Sequence, residues 1–359
     1  MKLVVLGLSL SSSWGNGHAT TYRALLKAFA ARGHDVLFLE RDVPWYATQR
    51  DLADPDYCRL AFYTDLADLD RWAPELADAD AVIVGSYVPD GVAVGRWAQR
   101  HAGGAIAFYD IDTPVTLAKL ARGDFEYLSP EVIPGYDLYL SFTGGPTLAR
   151  IERDYGSPAA RALYCSVDDD AYRPADVPKR WDLSYLGTYS PDRQPTLDRL
   201  LIEPARAQPH RRFVVAGPQY PPDIDWPGNV ERIDHLAPAD HAAFYSASRW
   251  TLNVTRADMI AAGWSPSVRL FEAAACATPI ISDIWDGLDT LFEPDREIIL
   301  AREGGDVIAA LDGADAPGLG EAARARALAA HTATHRAAEL ESHLREAATH
   351  RQTAGAEAA

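Results

Sequence analysis

The chain has 359 residues, of which 48% are hydrophobic and 24% charged, and a formal net charge of −17. That length exceeds one ordinary domain and leaves room for two cores. The composition excludes wholesale disorder, collagen and coiled coil, and the acidity repels nucleic-acid backbones and anionic lipid, though not a small anion in a local basic pocket.

Lys2 is followed by Leu3 to Leu10, of which Leu3 to Leu8 is a continuous apolar run. It has the outline of a signal peptide, but no small-x-small site precedes Ala19, and it reads better as a buried first strand. Ser9 to Gly17 is a polar loop, Ala19 to Ala31 a helix, and Val36 to Leu39 a second strand closed by Glu40, which makes a βαβ unit. Further strands are expected at Ala81–Val84, Ala105–Tyr109, Leu138–Phe142 and Ala162–Cys165. Val167 to Arg180, acidic and proline-bearing, reads as a linker.

A second series follows, with strands at Leu183–Leu186, Phe213–Ala216, Trp250–Val254, Pro279–Ser282 and Ile298–Ala301. Helices are expected at Thr196–Ala207, Pro238–Ser246 and Pro266–Ala277, and a terminal one from Gly320. Two successive βα series predict two doubly wound α/β domains, at 1–166 and 181–312, with a helical segment and tail at 313–359. No apolar run approaches the roughly 18 residues of a membrane span. Cys58, Cys165 and Cys276 are widely spaced and form no CxxC, which fits a reducing, cytoplasmic setting.

Ligands of open α/β sheets bind beyond the carboxyl ends of the strands, so residues there are the candidates. Ser265 is a good N-cap with Pro266 at the first helical position, and the free N–H groups that follow can receive a phosphate. Ser265, Arg269 and Glu272 then lie on one stripe. Glu272 in its apolar surroundings needs a polar partner, for which two ribose hydroxyls would serve; an Arg-Glu pair on a solvated edge is the plainer reading.

Gly15, Asn16, Gly17 and His18 form a loop where backbone can approach a ligand, or a tight turn. As a dinucleotide fingerprint it is weak, because Thr20 stands where a third glycine belongs. Asp110 and Asp112 follow a strand and could hold a divalent metal, or Asp112 could cap the next helix. Asn253, Thr255 and Arg256 end another strand, where Arg256 could meet a diphosphate or simply face solvent. Gly187, Thr188 and Gly217 also follow strands.

These segments together resemble GT-B glycosyltransferases of the spore-maturation CgeB type, related to the group 1 (family 4) enzymes. The carriers are Trp14 to Ala19, Tyr109 to Pro114, Phe142 to Pro146, Leu252 to Arg256, and Ser265 through Pro279. The resemblance implies two Rossmann-like domains facing a cleft, with a nucleotide-sugar donor, UDP-, GDP- or dTDP-linked, on the second. Glu272 would take the ribose, and Ser267 and Val268 the diphosphate, helped by Arg256 and Arg269. The acceptor would meet the first domain, near Gly15 to His18, with His18 or Asp112 as base or orienter. No metal or other cofactor is implied, so Asp110 and Asp112 become substrate or structural groups. Where family 4 carries a second glutamate eight residues before Glu272, this chain has Trp264.

Two other readings compete. One is an NAD(P)-dependent oxidoreductase using the Gly15 loop and Glu40. The other is a non-catalytic nucleotide- or sugar-binding subunit.

Overall fold

A computed structural model describes residues 1–14, 17–313 and 316–358, leaving aside the side chains of 316–317 and 354–358. The chain divides into two units, 1–165 with 333–359, and 166–332.

In the first unit the central strands are apolar on both sides. Along Lys2–Gly7 (β1), Leu3 and Val5 enter one core and Val4 and Leu6 another. This is the pattern of a parallel strand covered on both faces, where each such side chain contributes about 1.5–3 kcal/mol on burial. The other strands are Asp35–Arg41 (β2), Arg59–Tyr63 (β3), Ala81–Gly85 (β4), Ala105–Asp110 (β5), Leu138–Ser141 (β6) and Ala160–Ala162 (β7). All pair in parallel in the order β3-β2-β1-β4-β5-β6-β7.

The second unit repeats the plan with Trp181–Leu186 (β8), Phe213–Ala216 (β9), Val230–Ile233 (β10), Ser248–Asn253 (β11), Ile280–Ser282 (β12) and Ile299–Leu300 (β13). The order is β10-β9-β8-β11-β12-β13, again parallel. Each sheet reverses its winding once, between β1 and β4 and between β8 and β11. Those switch points are where open α/β sheets bind ligands.

Three expectations change. Residues 313–359 are not one appendage: the helix Ala316–Ala330 belongs to the second unit, and Ala333–Ala358 returns to the first. There Ala337, Leu340 and Leu344 bury themselves beside Leu3, Val5 and Leu26, and Glu341 pairs with Arg32 at 2.7 Å. The segment read as a linker from Val167 is part of the second unit, its start pinned by Val167 N donating to His331 O at 3.1 Å. Finally, β3, β10 and the short helix Ala257–Ala262 were not foreseen. Among the described residues, no helix is long and apolar enough to cross a membrane.

Candidate active site

At the mouth of the second sheet, the helix Val268–Ala275 begins two residues later than its sequence signals predict. Ser267, not Ser265, is the N-cap, with its hydroxyl accepting from Arg269 N at 3.4 Å. Ser265 and Pro266 precede the helix, so Ser265 does not share a stripe with Arg269 and Glu272. Glu272 lies inside the helix at 5% exposure. Its expected polar partner exists within the protein: Tyr245 donates to Oε2 at 3.3 Å.

The basic groups are the main feature of this mouth. Arg193 is 7% exposed and donates to Thr188 O. Arg269 donates to Val254 O at 3.2 Å and lies over the Tyr185 ring. The Nε atoms of both guanidiniums are buried without a partner. Among the described residues, neither these two nor Arg256 forms an ion pair with a carboxylate. Burial, and next the Arg269 charge, push the Arg193 guanidinium down from its ordinary value. Two buried guanidiniums within Coulombic reach of each other, neither in an ion pair, in a chain of net charge −17, are suited to meet an anion. Arg232 is a third nearby guanidinium, but it is paired with Asp234 at 3.7 Å; it also donates to Val215 O at 2.6 Å and Gly217 O at 3.1 Å and stacks 4.2 Å from the Tyr220 ring.

Other candidates here are structural. Asn253 donates to Thr255 Oγ1 and Ser282 Oγ, and Thr255 donates twice to Asp283, each at 2.8 Å. Burial raises the Asp283 carboxyl. Gly217, at φ +139°, is needed because a Cβ there would stand 2.1 Å from Gly187 O; the two glycines let β8 and β9 end side by side. Arg256 is exposed at the start of Ala257–Ala262.

In the first unit, Gly15 and Asn16 lie outside the described residues. Gly17 is the N-cap of His18–Ala31. His18 is buried, and burial holds its imidazole down at about 4. Glu40 is fully buried and spent: it accepts from Leu10 N at 2.6 Å, Ser11 N at 2.8 Å and Ser11 Oγ at 2.6 Å. It therefore ties down the loop after β1, and the oxidoreductase reading loses its ribose-binding acid.

Asp110 is equally committed, accepting from Tyr139 Oη at 2.5 Å, Thr116 Oγ1 at 2.7 Å and Asp112 N at 3.2 Å. Burial raises its carboxyl to about 6. Such a buried, internally satisfied group is a poor metal ligand, and among the described residues no cluster of three His, Cys, Asp or Glu could hold a metal. Asp112 is different. It occupies the N-cap of Thr113–Ala121 without a side-chain cap bond, is half-buried, and accepts from Tyr87 Oη at 3.2 Å.

Sequence reasoning missed Arg193, Arg232 and Tyr87. Tyr87 follows a foreseen strand by three residues and was within reach of the strand-mouth rule. Arg193 lies seven residues past β8, and only the tertiary structure carries it back to the mouth.

His18 gives a pH prediction. Unfolded, the imidazole titrates near 6.5; folded, at about 4. Between those values the unfolded chain binds the proton and the folded chain does not, so stability falls as pH drops below 6.5. By pH 5 the loss reaches about 2 kcal/mol. Asp110 acts oppositely below pH 6, since its raised carboxyl takes up a proton in the folded state first. His18→Gln is therefore expected to flatten the acid loss of wild type, in urea unfolding at pH 7 and pH 5. Parallel losses in both proteins would refute the buried neutral imidazole.

Residues 193–342 match the family model described as glycosyl transferase-like, a segment that starts at Arg193 and spans the helix bearing Arg269 and Glu272. No curated protein matches the chain. Among solved structures, sucrose-phosphate synthase from Thermosynechococcus elongatus is similar at TM-score 0.68 and 17% identity, over 96% of this chain and 99% of that one. Anabaena HepE, in complex with UDP and glucose, is similar at TM-score 0.71 and 12% identity, over 96% and 100%. An α-glucosyltransferase in complex with UDP-glucose and DNA containing an abasic site reaches TM-score 0.69 at 13% identity, over 96% and 99%.

The architecture is thus GT-B, two Rossmann-like α/β units with a C-terminal helix. Within that architecture, the glycosyl transferase-like match covers residues 193–342, most of the second unit.

Proposed function

We propose that the chain moves a sugar from a nucleoside diphosphate sugar, held by the second unit, to a hydroxyl acceptor met by the first. The observation that carries this is the uncompensated pair Arg193 and Arg269 at the second switch point, each with an unpartnered buried Nε. A diphosphate supplies the missing charge and acceptors, and as leaving group it develops more charge in the transition state, which those guanidiniums stabilise. The backbone N–H groups at Ser267 and Val268 add to that field. The complex of Anabaena HepE with UDP and glucose supports the choice of donor class. On this reading the protein needs no bound metal, and the CgeB type remains the family subtype it most resembles.

Asp112 is the acceptor-side base in this proposal, and His18 a neutral wall beside it. Accessibility decides between them, since Asp112 is half-buried whereas His18 is only 9% exposed.

Glu272 holds the ribose through the lone pairs that Tyr245 leaves open. Glu272→Gln is expected to weaken nucleotide binding by about 1.5–3 kcal/mol in calorimetry. Glu272→Ala should also lose stability, because the buried Tyr245 hydroxyl loses its acceptor, at about 1–3 kcal/mol. Unchanged affinity in the glutamine variant would remove Glu272 from the site.

A further inference from the structure

Three side chains converge on the first sheet's switch point from the loops after β1, β4 and β5: His18, Tyr87 and Asp112. Tyr87 joins them. Its hydroxyl donates to Asp112 Oδ2 at 3.2 Å, and the His18 ring meets its ring edge-on at 5.3 Å between centroids. Tyr127 packs on the same ring at 4.5 Å, and its hydroxyl is bonded at 2.8 Å to Thr116, which in turn holds Asp110. Tyr87 also has φ +62°, the left-handed region that glycine or asparagine enters far more easily. Its neighbours hold the same loops from below: Ser86 N donates to Tyr109 O at 2.9 Å, and Ser86 Oγ accepts from Ile111 N at 3.1 Å. A bulky side chain on a left-handed backbone, at a ligand-binding position of the sheet, marks a residue to examine for what it reaches.

We propose that Tyr87 is a positioning residue for sugar transfer, holding the Asp112 carboxylate so that an acceptor hydroxyl meets one fixed oxygen. The proposal rests on Asp112 being the acceptor-side base. In that step the acceptor O–H gives its proton to Asp112 while its oxygen bonds to the anomeric carbon. The nucleoside diphosphate leaves with the electron pair of the broken C–O bond. The titratable groups around Asp112 include Asp110, Tyr87 and, across the Tyr87 ring, Tyr127 and His18.

Tyr87→Phe keeps the ring, its packing and the backbone, and removes only the hydroxyl. The Asp112 Cγ signal is followed by carbon NMR across pH in the full chain. Losing a donor to the ionised carboxylate is expected to raise its midpoint by about half to one pH unit. UDP affinity, measured alongside by calorimetry, is expected to stay within about twofold, because the hydroxyl belongs to the first unit. An unmoved Asp112 midpoint overturns the proposal. Asp112→Asn separates the two claims, with UDP release from UDP-glucose as readout. If that variant keeps the wild-type rate, the base reading itself fails. If it is inactive while Tyr87→Phe keeps both midpoint and rate, only the role of Tyr87 fails.

Discussion

Replacing Asp112 with asparagine is expected to slow sugar transfer by about 100- to 10,000-fold while leaving nucleotide affinity unchanged, the usual loss for removal of a general base. The substitution is nearly isosteric. Asp112 makes no side-chain cap bond to its helix, and asparagine keeps an oxygen that can accept from Tyr87. What disappears is the ability to take a proton from the acceptor. Turnover of wild type is expected to survive EDTA, since Asp110, the other half of any metal-binding pair, is consumed by Tyr139, Thr116 and the Asp112 backbone. Rescue of EDTA-treated enzyme by Mn²⁺ would make the aspartates metal ligands after all. Full turnover in Asp112→Asn would exclude it as base. Nucleotide binding without turnover in wild type, across acceptors, would favour the non-catalytic binding subunit.

Arg193→Met is expected to do two opposite things. The unliganded protein should become more stable by about 1 kcal/mol, seen as a Tm rise of about 2–4 °C. The donor should bind about 100-fold more weakly, equivalent to roughly 3 kcal/mol. Both effects have one cause. The Arg193 guanidinium is desolvated beside Arg269 and, among the described residues, has no carboxylate partner, a state that costs free energy until an anion arrives. Methionine fills similar space without the charge. Calorimetry with the nucleotide and a thermal melt of the apo protein read the two effects separately. A less stable variant would mean that the Arg193 bond to Thr188 O matters more to folding than the desolvation penalty.

The sequence was most legible where burial is complete. β1, β4, β5 and β9 are continuous apolar runs because both faces of a central parallel strand are covered, and they were foreseen within a residue or two. β3 and β10 were not. Each is one edge strand of its sheet, and the charges of Arg59, Glu231 and Arg232 break the apolar run. The helix bearing Glu272 was found, but its start was set two residues early, because Ser265-Pro266 is as good an initiation signal as Ser267. The return of the last helix to the first unit leaves no local mark, since an alanine-rich amphipathic stretch fits either core. The site was half legible. Asp112 directly follows its strand, and Arg269 and Glu272 were found through the initiation signal of their helix, whereas Arg193 is brought to the mouth by the turn between Ser190 and Gln194, where Arg193 N donates to Ser190 O at 3.1 Å.

The central claim is that the second unit holds a nucleoside diphosphate on Arg193 and Arg269. It is tested most directly by thermal unfolding of the full chain with UDP, GDP, dTDP, ADP, CMP and NAD in turn. One nucleoside diphosphate is expected to stabilise wild type saturably, by about 2.7 kcal/mol at one hundred times its Kd, and to do so far less in Arg193→Met. Stabilisation by NAD alone, or by a diphosphate to the same extent in Arg193→Met, would contradict the account.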